Sequence, residues 1–255
     1  MRKLIVNILL LIFISVSTHL FAEKLTFSTG INAGYMPSMG GNLDSLSQEL
    51  YYGSASGVDG INRKIDGYST TDIERLTGVY FGFDFNAFFY DYFLVRTGFN
   101  YGMSVYGGKG KTVFYSPPPD DDYFILKCEY SYRQFDVPLT VGVCIPFWKD
   151  AKILITCGAA YANAKYVNKF KSEDTAVPFN RKGSFSGWGI PLVVLIQGDY
   201  FVTEKVALTT AISYYRGESK VIKDSSDNDG DTDFAVIDFS GYRFNLGVSY
   251  YFFYK

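Results

Sequence analysis

The patterning of the 255-residue chain predicts an all-β fold, an antiparallel up-and-down β-barrel of about eight strands. Three observations carry that prediction. Segment after segment alternates large apolar residues with small or polar ones, the period of a strand whose two faces meet different surroundings. The gaps between segments run long, short, long, short along the chain, the rhythm of hairpin-linked staves. Aromatic residues make up 18% of the sequence, mostly Tyr and Phe, which favour strands and membrane interfaces.

The first 22 residues read as an export leader. Arg2 and Lys3 precede an apolar run, Leu4 to Val16, broken only by Asn7 and Ser15. Ala22 before Glu23 supplies a small residue for cleavage, so residues 23–255 are expected to form the barrel. The run is short of the ~20 residues a membrane helix needs. No Cys follows it, which argues against a lipoprotein anchor. Cleavage also removes His19, the only histidine, and leaves 22 basic against 26 acidic residues, a net −4.

The first expected strand is Leu25 to Tyr35, followed by a Gly/Ser-rich polar stretch from Met36 to about Asp72. Thr77–Phe89 and Phe93–Val105 form a hairpin around Tyr90 and Asp91, with their apolar sets on one face. A polar loop, Gly107 to Asp122, carries the PPP and DDD runs. The fourth segment, Tyr123 to about Phe147, changes character near Gln134. Lys127, Glu129, Ser131 and Arg133 share a parity with Phe135, Val137, Leu139, Val141, Val143 and Ile145. A β-bulge accounts for such a switch, as do two shorter strands. Ile153–Tyr166 has one nearly all-small face. Ser184 to Gln197 is apolar on both faces, with a distortion expected at Pro191. Lys205–Tyr215, an acidic loop Gly217–Asp233 and the closing strand Gly241–Phe253 complete the set.

Alternation does not by itself say which face points outward, since a soluble lipocalin-like barrel is apolar inside. Two features favour the transmembrane arrangement. Aromatics ring the short turns at Phe88–Phe93, Phe147–Trp148, Tyr200–Phe201 and Tyr250–Tyr254, as an interfacial girdle would. The polar faces are rich in Gly, Ala, Ser and Asn, a poor apolar core but a workable filling for a narrow lumen.

The closing strand adds a third. Asn245, Gly247, Tyr250 and Phe252 stand where the assembly signal of bacterial outer-membrane proteins has its polar, glycine, aromatic and final apolar residues; Phe253, Tyr254 and Lys255 follow. The Tyr132–Val143 stretch, YRQFDVPLTVGV, also looks like a strand found in such barrels. On these residues the mature chain resembles the small bacterial outer-membrane β-barrel proteins, the eight-stranded, OmpX/OmpW-like porin-family barrels. The resemblance implies a location in the outer membrane of a double-membraned bacterium. It also implies outer-membrane lipid and the barrel-assembly machinery as partners, with extracellular or host ligands at the loops.

Composition and motifs narrow the chemistry. A net charge of −2 gives no footing for nucleic acid. The mature chain has no histidine for a Ser–His pair or a His-ligated metal site, so no catalytic residue, cofactor or metal is assigned. Cys128, Cys144 and Cys157 are read as small apolar fillers, with Cys144 and Cys157 on opposite faces. The acidic loop Asp224–Asp233 has Gly230 and alternating oxygen ligands but lacks the final acid of a calcium loop. Inside the barrel, Asp84, Arg96, Asn100, Arg243 and Asn245 are expected to form a lumen polar network, with Asp84 directly facing Arg96 across a Phe89–Asp91 loop. The expected role is structural or surface interaction through long extracellular loops. The alternative is a narrow channel for small solutes or ions. A lipid-acting enzyme is disfavoured.

Overall fold

The computed structural model describes residues 25–40, 69–115, 123–172, 180–219, 222–224 and 237–252. The expected leader, the PPPDDD run, Gly230 and most of the acidic loop, and Phe253–Lys255 lie outside them. Among the described residues there are twelve strands: β1 (Leu25–Met36), β2 (Ser69–Ile73), β3 (Thr77–Phe89), β4 (Phe93–Tyr106), β5 (Lys109–Tyr115) and β6 (Tyr123–Trp148), then β7 (Ala151–Ser172), β8 (Asn180–Gly189), β9 (Leu192–Phe201), β10 (Val206–Arg216), β11 (Ile222–Asp224) and β12 (Gly241–Phe252).

Antiparallel pairing runs β7-β9-β10-β12-β1-β3-β4-β6 and back to β7, closing an eight-stranded barrel. Strands β8 and β9 together make one stave. Ala162 pairs with Gly189 and Ala159 with Leu192, so both lie on β7 in a single register, and the break at Ile190–Pro191 inserts no residue. Pro191 has no N–H to give to a ladder, but its carbonyl still accepts from the Ala160 N–H at 2.9 Å. Closure leaves no edge inside the barrel wall, which a hydrocarbon surrounding requires.

The facing follows the sequence pattern. On β12, Phe244, Leu246 and Val248 point outward, Leu246 at 71% exposure, while Arg243 and Ser249 are buried inside. Phe81, Phe83 and Phe85 on β3, Leu139 and Val141 on β6, and Leu208 and Ile212 on β10 continue the same outward belt. An apolar exterior around a polar interior makes this a transmembrane β-barrel of the outer-membrane type. Cys157 lies on the outer surface whereas Cys144 is buried inside, so the two thiols point in opposite directions.

Three features correct the sequence reading. The first is β6, which shows no bulge near Gln134. Its register with β7 holds from Leu126↔Ser172 to Pro146↔Lys152, and its register with β4 is likewise unbroken. Cys128, Tyr130, Tyr132, Gln134, Asp136, Pro138 and Thr140 all face inward. What changes at Gln134 is the surroundings. Strand β6 has 26 residues and β7 has 22, against the ~9–11 needed to span a bilayer. The excess stands outside the membrane, where a charged outer face and an apolar inner face are the stable arrangement.

The second correction concerns the loops, which contribute strands to this projection. Strand β5 pairs with the free edge of β6 and β2 with β5, while β11 pairs with β8. The result is an extramembrane sheet, β2-β5-β6-β7-β8-β11. The third concerns the aromatic girdle. Phe93, Trp148, Tyr200 and Phe252 do face outward, but Phe88 and Tyr251 are buried and Phe201 packs with them inside.

If the belt faces lipid, Leu246→Arg should destabilise the folded barrel by ~2–4 kcal/mol near the bilayer midplane. Val167→Arg, on the same outward parity of β7 but in the projecting part, should cost close to nothing. Urea titration of the protein folded into lipid vesicles measures both, and equal costs would refute the facing.

Candidate functional site in the barrel lumen

The lumen is filled in three layers. At the tight-turn end Phe88, Leu94, Cys144, Leu154, Ala207 and Tyr251 form an apolar plug, with Phe201 packed against it. Phe88 and Tyr251 stack at 5.6 Å between centroids. The Lys152 ammonium reaches into the plug, 5.5 Å from the Phe201 and Tyr251 rings and 5.8 Å from that of Phe88. Three ring faces around one cation supply cation–π attraction that partly offsets its desolvation.

The middle layer is polar and holds two ion pairs. Arg96 Nη2 lies 2.8 Å from Asp84 Oδ2, and Asn32 donates to the same oxygen at 2.6 Å. The other side of Arg96 donates to Gln197, which donates to Asp199 at 2.7 Å; Tyr251 also donates to Asp199. Asp84 and Arg96 do not sit directly opposite. The hairpin loop is Tyr90–Tyr92, with Phe89 opposite Phe93, so Asp84 faces Gly98 and Arg96 faces Asn86. Because Gly98 has no Cβ, the space beside Asp84 stays open, and Arg96 reaches the carboxylate diagonally.

The second pair, Arg243 Nη1 to Asp136 Oδ2, is 2.7 Å long. Asn100 donates to Asp136 at 2.9 Å and Tyr215 at 3.1 Å, and the Arg243 guanidinium stacks 3.5 Å above the Tyr215 ring. Both salt bridges lie almost wholly out of solvent, where an ion pair survives only if its remaining donors and acceptors are also satisfied. Four groups around a small cavity have no hydrogen-bond partner among the described residues: Thr140 Oγ1, Thr156 Oγ1, Arg243 Nη2 and Asn245 Oδ1. The cavity measures about 20 Å³, the size and polarity that suit a single water molecule.

Toward the long-loop end the filling becomes apolar again. Met36, Met39, Leu76, Tyr80, Tyr130, Tyr132, Tyr166, Ile237 and Phe239 form one buried cluster. Tyr166 donates to the Gly40 carbonyl; Gly40 has φ +76° and lies so close to the Tyr166 ring that a Cβ there would overlap it. Burial raises the Tyr132 and Tyr166 hydroxyls above their ordinary range, so both remain protonated donors.

The sequence-named residues therefore separate. Asp84 and Arg96 join one network, Asn100 and Arg243 the other, and Asn245 borders the cavity between. Gly247 and Tyr250 lie on β12 against β10, and Phe252 pairs with Phe27 of β1, with Tyr250 and Phe252 on the outer surface. Asp136, the centre of the second network, escaped the sequence reading because it falls beside the imagined bulge. Gln197 closes, and Asp199 lies beyond, the segment Ser184–Gln197, whose two apolar faces gave no inward parity to extend, whereas β9 runs on to Phe201. Among the described residues no group of three or more His, Cys, Asp or Glu could hold a metal ion.

No protein-family model matches the sequence, and no curated protein is significantly similar to it. Solved structures are similar in fold. The attachment invasion locus protein Ail of Yersinia pestis, solved with the heparin analogue sucrose octasulfate, shares 12% identity at a TM-score of 0.39, covering 90% of this chain and 99% of its own. The outer membrane protein OprG of Pseudomonas aeruginosa shares 11% at 0.41, covering 89% and 95%. The outer membrane protease OmpT of Escherichia coli shares 11% at 0.45, covering 89% and 96%.

The energetic weight of the lumen pairs can be compared with that of a surface pair. Asp136→Ala leaves the buried Arg243 uncompensated and should cost ~3–5 kcal/mol. Lys169→Ala removes a 3.2 Å pair with Glu129 whose partners are about half exposed, and should cost less than ~1 kcal/mol. Equilibrium unfolding of the two variants checks the contrast.

Proposed function

We propose that the protein is a non-conducting, non-enzymatic barrel of the outer membrane whose projecting sheet and loops act at the cell surface. One observation carries this reading: the lumen is plugged by apolar side chains at both ends, while β6 and β7 continue well beyond the membrane. Charged residues alone can line a selective pore. Here Asp84, Arg96, Asp136 and Arg243 lie between two dry layers and are spent on one another. An eight-stranded barrel has just enough interior for its side chains, which fits the small central cavity. The tight turns belong on the periplasmic side and the projecting sheet outside, following the usual asymmetry of such barrels. The bacterial host, export by residues 1–22 and recognition of Asn245, Gly247, Tyr250 and Phe252 by the assembly machinery belong to the same reading.

Purified protein in planar bilayers should give no discrete conductance steps, and reproducible openings would overturn the proposal. Deletion of residues 41–68 spares Met36, Met39, Ile73 and Leu76, which belong to the outer plug. The shortened protein should keep its heat-modifiable migration while losing surface binding.

A further inference from the structure

We propose that the outer plug holds a soft monovalent metal ion, of the kind Cu(I) represents, on the thioethers of Met36 and Met39. Three methionines lie beyond the expected leader. Met103 faces outward from β4, whereas Met36 and Met39 are both buried in the apolar cluster at the long-loop end. They are three residues apart, in the run Met36-Pro37-Ser38-Met39 that ends β1 and leads to Gly40. This strap is fixed at two points. The Met39 N–H donates to the Leu76 carbonyl at 2.9 Å, and the Gly40 carbonyl accepts from Tyr166 of β7.

Two glycines make room for the sulfurs. Gly78 of β3 and Gly102 of β4 share the inward parity, opposite Ser104 and Tyr80 in the β3–β4 register. A Cβ on Gly78 would overlap Met39 Sδ. One on Gly102 would stand 3.2 Å from Met36 Sδ and 3.5 Å from Met39 Cε. The two thioethers therefore converge on one glycine-floored spot, and among the described residues no hydrogen bond reaches either sulfur. Packing alone asks only for apolar volume, which leucine supplies with better-defined rotamers. What methionine adds is a polarisable lone pair on a side chain able to re-aim it.

The donors select the ion. Thioethers are soft and neutral, which favours Cu(I) over Ca(II), Mg(II) or Mn(II). The desolvated surroundings favour a single charge, because the cost of burying an ion rises steeply with its charge. The rings of Tyr80, Tyr132 and Tyr166 belong to the same cluster and offer π faces to a cation. The Tyr132 and Tyr166 hydroxyls are already donating, to Gln134 at 2.8 Å and to Gly40. Pro37 and Ser38 are half-buried, so the strap that carries both ligands borders solvent. A bound ion would fasten the strap to the β3–β4 floor.

The test uses the full folded protein in detergent micelles, with its methionine methyl groups labelled with carbon-13. Silver nitrate is added in chloride-free buffer, since Ag(I) has the charge and softness of Cu(I) without its redox chemistry. Met36→Leu and Met39→Leu assign the signals and, being close in volume, should keep heat-modifiable migration. The Met36 and Met39 signals should shift together at an Ag(I) concentration at least about tenfold below the one that moves Met103, which has a single thioether to offer. Either leucine variant should abolish the shift of the other methyl at that concentration. Cys128 lies in the same cluster, so the titration is repeated on Cys128→Ala, where both shifts should persist. The inference is overturned if the two signals move only along with Met103, if one moves without the other, or if both shifts vanish in Cys128→Ala. An equal response to Zn(II) overturns it too. None of these outcomes bears on the conductance measurement.

Discussion

The exterior of this barrel changes solvent partway along its strands, and the rest of the structure depends on that change. Within the membrane the outer face must be apolar, because hydrocarbon offers no partner to a polar group. Above it the outer face can be charged and the inner face must carry the apolar burden. Strand β6 meets both demands without altering its pleat: Val137, Leu139 and Val141 serve lipid, while Lys127, Glu129 and Arg133, at the same parity, serve water. Its inner face inverts at the same level, from Asp136 and Thr140 to Cys128, Tyr130 and Tyr132. The outer plug is the hydrophobic core of an ordinary soluble sheet, built on top of a membrane barrel.

That inversion explains why the charged lumen is a filling. Each buried arginine–aspartate pair is costly to desolvate and is retained by hydrogen bonds from several strands. Arg96 links Asp84 of β3 to Gln197 of β9, and Asp136 of β6 gathers Asn100, Tyr215 and Arg243 from β4, β10 and β12. The two networks tie opposite walls of the barrel together. The apolar layers above and below keep water from competing with them, which strengthens each bond.

Much of this was legible in the sequence, because period-two patterning translates directly into facing. The bounds of β3, the start of the closing strand and the outward turn of Leu246 follow from alternation alone, whereas the loop of the hairpin is Tyr90–Tyr92, one residue on from the Phe89–Asp91 expected. What alternation could not supply was a second change of environment. Charged residues at a parity that later becomes apolar look like a slipped register when only one solvent boundary is assumed, hence the bulge expected at Gln134. Likewise Phe88, Phe201 and Tyr251 lie among girdle aromatics, and only their inward parity marks them as plug residues. The strands β2, β5 and β11 were missed for a different reason. They are short extensions in polar stretches, given shape by the edges they join rather than by their own pattern.

The length of β6 and β7 has a kinetic side. They are joined by a tight connection at Lys149–Asp150 and, past an irregularity at Phe147, paired in one register from Pro146↔Lys152 to Leu126↔Ser172, so the hairpin is a local unit that can zip up early. In the proposed orientation, with its tip on the periplasmic side, the far end is the part that must pass through the hydrocarbon, carrying Arg133, Lys165 and the lysines beyond them. A lysine or arginine at the bilayer centre costs at least ~2.5–3.5 kcal/mol, so the combined barrier for these side chains is prohibitive along an unassisted path. In that orientation, insertion has to carry these charges across the hydrocarbon, a demand that a barrel ending at the membrane surface does not make.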